Sequence, residues 1–549
     1  MISTLDLGIS IGYFIAIVAI GIWYGTRPKA VGTSGSNEYF LAGKSLRWPM
    51  IGLALFATNI SCVHLVSLAQ SGFDTGLLNG NFEWMAAFTL ILLALFFVPF
   101  YIKSGVSTLP DFLEKRYNRA CRDWLAIISV FSAVIIHIAF SLLSGGIVLQ
   151  TLFGVDMYIS VTIIAILTGL YTILGGLRAV VITESIQTIV LLAGAILITF
   201  FAWQKLGGWD PMVEVLDSKN ELSKLSMLRP HGDESGMPWY AIFLGYPILG
   251  IWYWCADQTI VQRVLGAKDE NHARVGALFC GFIKILPVFI FVMPGLFAYV
   301  LAQKGLLDVS AVTSVNAQGE AVVNSKGIYT LMITQLVPTG LVGILVAALL
   351  SGLMSQISGA LNSISTLVSF DLYKRFKPDI SDEHLVRVGR WSAGFAILVS
   401  IGLLPLLNSY ESIFNGLNDI IAHIAPPITC VFVLGIFWKK ASALSAQYTL
   451  WIGSILGILV FAFNKLSPSN PMASIPFMMM AFYLFCICMI IQIVLSYVFV
   501  VNHSSVSDTL YWKSFKEPLQ GASWSGIGNY KTLSLILLSV MFVLYVIFQ

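Results

Sequence analysis

An apolar run from about residue 48 to 73 is long enough to cross a bilayer. At its centre, however, stands Thr58-Asn59-Ile60-Ser61-Cys62-Val63, followed by His64. Hydrogen-bonding groups at that depth find no water, so a continuous lipid-facing helix carries them only at a cost. A helix that breaks at the midplane to hold a solute does not, because the freed backbone groups then line a cavity. The pattern predicts a transporter with its binding site in the first third of the chain.

Composition agrees. The chain is 57% hydrophobic and 11% charged, against about 25% charged in soluble domains, which excludes a water-soluble fold. A net charge of +3 makes no case for nucleic acid. The seven cysteines lie in or beside apolar stretches without metal-ligand clustering, and read as free thiols.

Apolar stretches of about 18 residues or more fall near 6–24, 48–72, 80–104, 123–151, 157–175, 180–204, 238–262, 275–301, 333–368, 386–405, 412–437, 444–464, 473–502 and 530–548. These give an all-α polytopic membrane protein of 14 transmembrane helices. The first stretch lacks a basic n-region and a small-residue cleavage site and is followed by Arg27 and Lys29, so it reads as a retained anchor. Basic residues sort onto one face, roughly 23 against 7, which predicts both termini outside. Two outer loops, about 205–237 and 303–330, are polar enough to pack over a transporter mouth. No loop is long enough for an enzyme domain, so 1–549 reads as a single membrane transport domain and not an enzyme.

Charged and polar groups inside the spans mark the candidate site. Lys284 sits about ten residues into the eighth span, on the order of 15 Å from its inner end; it either snorkels or faces a polar cavity. Glu83, beside Phe82 and Trp84, is either an interfacial acid or an acceptor of polyol hydroxyls next to an aromatic cover. His137, Ser141 and Ser144 share one helical face and read as cavity lining or packing. Ser351, Ser355, Ser358, Asn362 and Ser365 form a second polar stripe, fit for helix packing or for oxygen ligation of an alkali cation. Glu184 is placed to add a negative charge to such a site. A second interrupted segment holds Gly245-Tyr246-Pro247, Gly250, Trp252-Tyr253-Trp254 and Asp257-Gln258, five spans after the first. Two halves that each open on a broken helix predict a 5+5 inverted repeat.

Tyr39-Phe40-Leu41-Ala42-Gly43-Lys44-Ser45, Ala57-Thr58-Asn59-Ile60-Ser61, Phe82-Glu83-Trp84, Gly175-Gly176-Leu177-Arg178-Ala179-Val180, Trp252-Tyr253-Trp254, Gln262-Arg263, Leu361-Asn362-Ser363 and Phe437-Trp438-Lys439-Lys440 occur in that order. With them the chain resembles the sodium/solute symporter family, most of all its sodium/glucose and sodium/galactose branch. The resemblance implies a leucine-transporter-type core, with 48–204 and 238–437 as the inverted repeats, 6–24 as an extra N-terminal helix and 444–549 as three extra C-terminal helices. It implies sodium-coupled symport of a sugar by alternating access, by a monomer in the plasma membrane (the inner membrane of a Gram-negative cell).

By the same resemblance, His64, Glu83, His137, Lys284 and Asn418 bind the sugar, and Tyr253 stacks beneath it as inner gate. Leu68, Phe82 and Phe414 form an outer lid. The sodium ion takes the carbonyls of Ala57, Ile60 and Gly352 and the hydroxyl of Ser355, with Gln356 where the family has a second serine. Glu184 and Ser358 fall at a second sodium site, with Glu184 in place of an aspartate and Gly359 in place of a hydroxyl residue. His137 and Gly250 stand for asparagines and Ala86 for a serine, so the sugar's identity stays open. The alternatives are the same fold carrying an inositol, carboxylate or amino acid, or a sodium-independent carrier or sensor. A sensor would normally append a soluble signalling domain. An anionic substrate would call for uncompensated arginines near the midplane, which the sequence does not offer.

Overall fold

The computed structural model describes residues 3–26, 35–233, 235, 237–315, 321–407, 413–467, 469–499 and 506–549. Eleven helices among them are long and apolar enough to cross a membrane. The other regular structure is short helices and a small antiparallel pair, Thr313–Val315 with Ala321–Val323, in the second long loop.

The polar hexad is itself a helix break. Trp48–Asn59 ends as Ile60 turns extended (φ −79°, ψ 109°), and Cys62–Thr75 begins after an extended Ser61. The Ser61 hydroxyl accepts the Val63 N–H at 3.2 Å, and Ser61 N–H donates to His64 Nδ1 at 3.3 Å. Side chains thus satisfy donors that the missing turn leaves unpaired.

The seventh span breaks by the same means, but not at its Gly-Tyr-Pro sequence. Pro247 lies inside an unbroken helix, Trp239–Ile251. The chain turns extended at Asp257, after a π-helical Trp252–Ala256, and resumes as Gln258–Leu265. One Asp257 oxygen accepts the N–H groups of Thr259 (2.7 Å) and Ile260 (3.3 Å), so a carboxylate rather than a proline places the break.

Between the fifth and sixth expected spans, Met157–Leu206 runs as one helical stretch with a kink at Gly176 (φ 63°, ψ −166°). A Cβ there would lie 2.5 Å from the Tyr39 carbonyl. Both the conformation and the space require glycine.

Val342–Leu367 is the central post, buried at every residue but Ile344. Its stripe of small polar residues is therefore internal. Outer helices such as Asp382–Leu407, Ala443–Leu466 and Tyr530–Ile547 turn large apolar side chains outward, Phe395, Leu459 and Phe542 among them. An apolar perimeter of this extent belongs in lipid.

Helix pairs around the post approach until backbones touch. A Cβ on Gly295 would stand 1.9 Å from the Ala69 carbonyl, and one on Gly72 2.0 Å from that of Val292. Overpacking costs about 1–3 kcal/mol. Gly295→Ala is therefore expected to lower the thermal midpoint of the detergent-solubilised protein, whereas Gly402→Ala, with nothing within 4 Å, is not. Equal midpoints for the two variants would contradict this packing.

Candidate functional site

The first helix break and the π-helical turn that leads into the second line one cavity. Its walls are Asn59, Ser61, Val63 and His64 from the first break, Phe82 and Glu83 from the third span, and Ile136, His137 and Ser141 from the fourth. Tyr246, Leu249, Gly250, Tyr253 and Trp254 from the seventh, Gln356 from the central post, and Leu417, Asn418 and Ile421 complete it. About 710 Å³ lies between the lining atoms, and the centre of a water molecule reaches about 80 Å³ of it. The larger figure includes space open to solvent. The smaller corresponds to several waters at about 10–15 Å³ each, so the space suits one small polar solute.

Glu83 lines the cavity and is 1% exposed. Its partner is Lys284, also 1% exposed, whose ammonium donates to both the Glu83 carboxylate and the Asn59 side-chain oxygen. Lys284 does not line the cavity. It stands behind the wall, 5.5 Å from the Trp254 ring centre and 5.8 Å from that of Phe56. In this conformation its charge is spent on holding two wall residues rather than on an occupant. That depth and pairing leave no room for snorkelling.

His64 lines the cavity with Nδ1 engaged by the backbone and hydroxyl of Ser61. His137, fully buried, spans two partners: Nε2 lies 3.2 Å from Asp257 Oδ2 and Nδ1 lies 2.9 Å from Gln356 Nε2. Tyr253 lies beside it, ring centres 5.8 Å apart. Asn418 completes the sequence-expected contacts at the cavity.

Of the expected outer lid, Phe82 borders the cavity, edge-on to Tyr246 at 5.9 Å and stacked on Phe477 at 6.1 Å. Leu68 is buried and away from the cavity. The side chain of Phe414 lies outside the described residues.

The expected ion cage sits behind the first break. Loss of helix after Asn59 frees the Ala57 carbonyl from the usual i+4 bond, and it accepts the Ser355 hydroxyl at 2.9 Å. The same hydroxyl lies 3.2 Å from the Gly352 carbonyl. Gly352 permits the approach: a Cβ there would be 3.0 Å from Cys62 N. Converging hard oxygens of this kind suit an alkali cation. Gln356 departs from the expectation, because its amide turns to His137 and the cavity rather than to the cage.

Glu184 also departs. It forms a wholly buried, two-pronged pair with Arg263, Nη2 to Oε1 at 2.6 Å and Nε to Oε2 at 3.3 Å, and accepts Thr58 Oγ1 at 3.3 Å. A Cβ on residue 359 would lie 2.5 Å from that guanidinium, so Gly359 makes space for the pair. Both Glu184 oxygens are thus held by Arg263. Ser358 donates to the Ser355 carbonyl at 3.0 Å. Among the described residues no group of three or more His, Cys, Asp or Glu side chains is placed to hold a metal.

Sequence reasoning placed Asn59 in the polar break but missed Tyr246, Trp254, Leu417 and Ile421 as walls and Asp257 as an anchor. A signal existed for two of them, because Leu417 and Ile421 share a helical face with Asn418.

The family model described as sodium:solute symporter family matches residues 39–453. Sodium/glucose cotransporter 1 of Sus scrofa is 34% identical over 521 residues, 89% of this chain and 78% of the relative. Sodium/glucose cotransporter 2 of Rattus norvegicus is 34% identical over 476 residues, 82% and 71%. The solved outward-open structure of a sodium-coupled sialic acid symporter superimposes with a TM-score of 0.77 at 22% identity, covering 91% of this chain and 99% of that one.

Proposed function

The chain belongs to the sodium:solute symporter family and is a membrane transporter, not an enzyme, and on that premise we propose that it carries a sugar together with sodium by alternating access. The observation that carries this reading is the cavity lined by the first helix break and the π-helical turn that leads into the second, with a carboxylate fixed at its wall and an oxygen cage behind the first break. The relatives named sodium/glucose cotransporters support sugar as the solute.

In this reading His64, Glu83, His137, Tyr253 and Asn418 face the sugar, Lys284 reaches it through Glu83, and Phe82, Leu68 and Phe414 close over it. Sodium takes Ala57, Ile60, Gly352 and Ser355. A neutral, hydroxyl-rich solute fits a wall whose one carboxylate is already matched by an ammonium.

Fourteen spans follow if the runs 62–103 and 157–206 each cross twice, turning at Gly76–Gly80 and Gly176, and if 239–265 crosses through its break. The 5+5 repeat is supported by matching devices in the two halves. Each opens on a broken helix capped by a side chain at the break. Each continues with a helix whose π-helical turn, Leu93–Phe97 or Val288–Val292, precedes Pro99 or Pro294. Lysine and arginine asymmetry supports both termini outside.

The test is equilibrium binding of a panel of hexoses to purified protein, read by tryptophan fluorescence, with and without sodium. Coupling is reciprocal, so sodium is expected to tighten hexose binding, and the hexose to tighten sodium. Ser355→Ala is expected to raise the sodium concentration needed for half-maximal effect by about tenfold, the loss of one ligand hydroxyl at roughly 1–2 kcal/mol. Hexose binding that ignores sodium, in either protein, would contradict the coupling.

A further inference from the structure

Resting on the sugar reading above, we infer that Gln356 reads one substrate hydroxyl as an obligate hydrogen-bond acceptor, aimed into the cavity by His137 and Asp257.

The direction follows from the donors and acceptors in order. Asp257 sits at the break of the seventh span, where Oδ1 accepts two backbone N–H groups. Its Oδ2 lies 3.2 Å from His137 Nε2. An ionised carboxylate only accepts, so Nε2 carries the ring proton and donates it. The group 2.9 Å from Nδ1 is the Gln356 amide nitrogen, which can only donate, so Nδ1 is its acceptor. Three residues from three spans therefore fix which way the amide faces.

Its other end is left over. Gln356 is 5% exposed and lines the cavity, and its Oε1 is buried without a partner among the described residues. A buried carbonyl oxygen without a donor has lost its hydration with nothing in return. An occupant's O–H group removes that cost, whereas an occupant lacking it does not. Ser141, one turn beyond His137 on the same cavity wall, likewise has a buried hydroxyl without a partner, and supplies a donor or an acceptor as the occupant requires.

The competing role, an oxygen ligand of the ion cage, fits this arrangement poorly. Ala57, Ile60, Gly352 and Ser355 do not line the cavity, and Gln356 does. Held by His137, the amide presents its free oxygen on the solute side. The substitution of glutamine at this position thus adds a specificity contact to the sugar site in a chain where His137 and Gly250 alter two others.

The experiment is a deoxy scan. Half-saturating concentrations are measured for the transported hexose and each of its monodeoxy analogues, by competition against labelled hexose in proteoliposomes, in wild type and Gln356→Met. In wild type one analogue is expected to bind about tenfold or more weakly. In Gln356→Met the parent hexose is expected to weaken by a similar factor and that analogue's penalty to vanish, while the other penalties persist. His137→Leu, which releases the amide, is expected to shrink the same penalty. If Gln356→Met does not reach the membrane, Gln356→Asn is read by the same scan. A flat scan in wild type, or an unchanged pattern in the variants, would overturn the inference. So would a shift in sodium half-saturation with the deoxy pattern intact, which would return Gln356 to the cage. Wild type that takes up no sugar at all fails the sugar reading itself, a different result from uptake with a flat scan.

Discussion

Glu83→Ala is expected to destabilise the protein by about 3–5 kcal/mol, the cost of leaving one partner of a buried ion pair uncompensated. Lys284 would keep its charge 1% exposed, with only the Asn59 oxygen and two aromatic faces beside it. Neither supplies a full negative charge. The thermal midpoint in detergent should fall steeply and the yield of folded protein with it. Glu83→Ala combined with Lys284→Met removes both charges and should recover most of the midpoint, because a paired apolar replacement is often near neutral. Hexose binding should stay lost in the double variant, since the hydroxyl acceptor at the wall is gone. A single variant as stable as wild type would mean that Lys284 is not committed to Glu83. A double variant that binds hexose normally would remove Glu83 from the site.

Arg263→Met should have an effect of the same size, about 3–5 kcal/mol, by leaving the Glu184 carboxylate alone in a fully buried setting. Here the companion variant decides between two roles. If Glu184 is a strut, Glu184→Leu with Arg263→Met restores the midpoint, and sodium half-saturation in that double variant equals that of wild type. If Glu184 ligates a second sodium, stability returns while the steepness of the sodium dependence falls. Gly359→Ser should mimic the loss in part, because its side chain would press on the Arg263 guanidinium.

Much of this arrangement was legible in the sequence, and the reasons differ by element. The first break was legible because polar side chains at mid-bilayer depth have few places to go. The second was only half legible. Pro247 and its glycine neighbour mark the segment, yet Asp257 cuts the helix by accepting two backbone N–H groups. An isolated aspartate gives no warning of that, because its capping role depends on where the chain turns. Lys284, expected to face a polar cavity and pair with a carboxylate or a ligand, is buried and paired with Glu83. That it faces Glu83 from behind the wall is a matter of packing between the third and eighth spans, which spacing along one helix does not encode.

Glu184 and Gln356, both expected at sodium sites, depart in their partners for a related reason. Both neighbour the cage in sequence, and each found a stronger partner in space, Arg263 for one and His137 for the other. Sequence reading assigns ligands by position, whereas the folded chain assigns them by competition among donors and acceptors. The small polar stripe of the central post shows the same ambiguity resolved residue by residue. Ser355 bonds the first break, and Ser358 bonds its own helix.

The most direct measurement of the central claim is uptake of a labelled hexose into proteoliposomes holding the purified protein under an inward sodium gradient. The expected result is accumulation inside above the outside concentration, collapsing when a sodium ionophore dissipates the gradient and reduced in Ser355→Ala at low sodium. Uptake that only equilibrates, or that proceeds equally with sodium replaced by choline, would contradict sodium-coupled sugar symport.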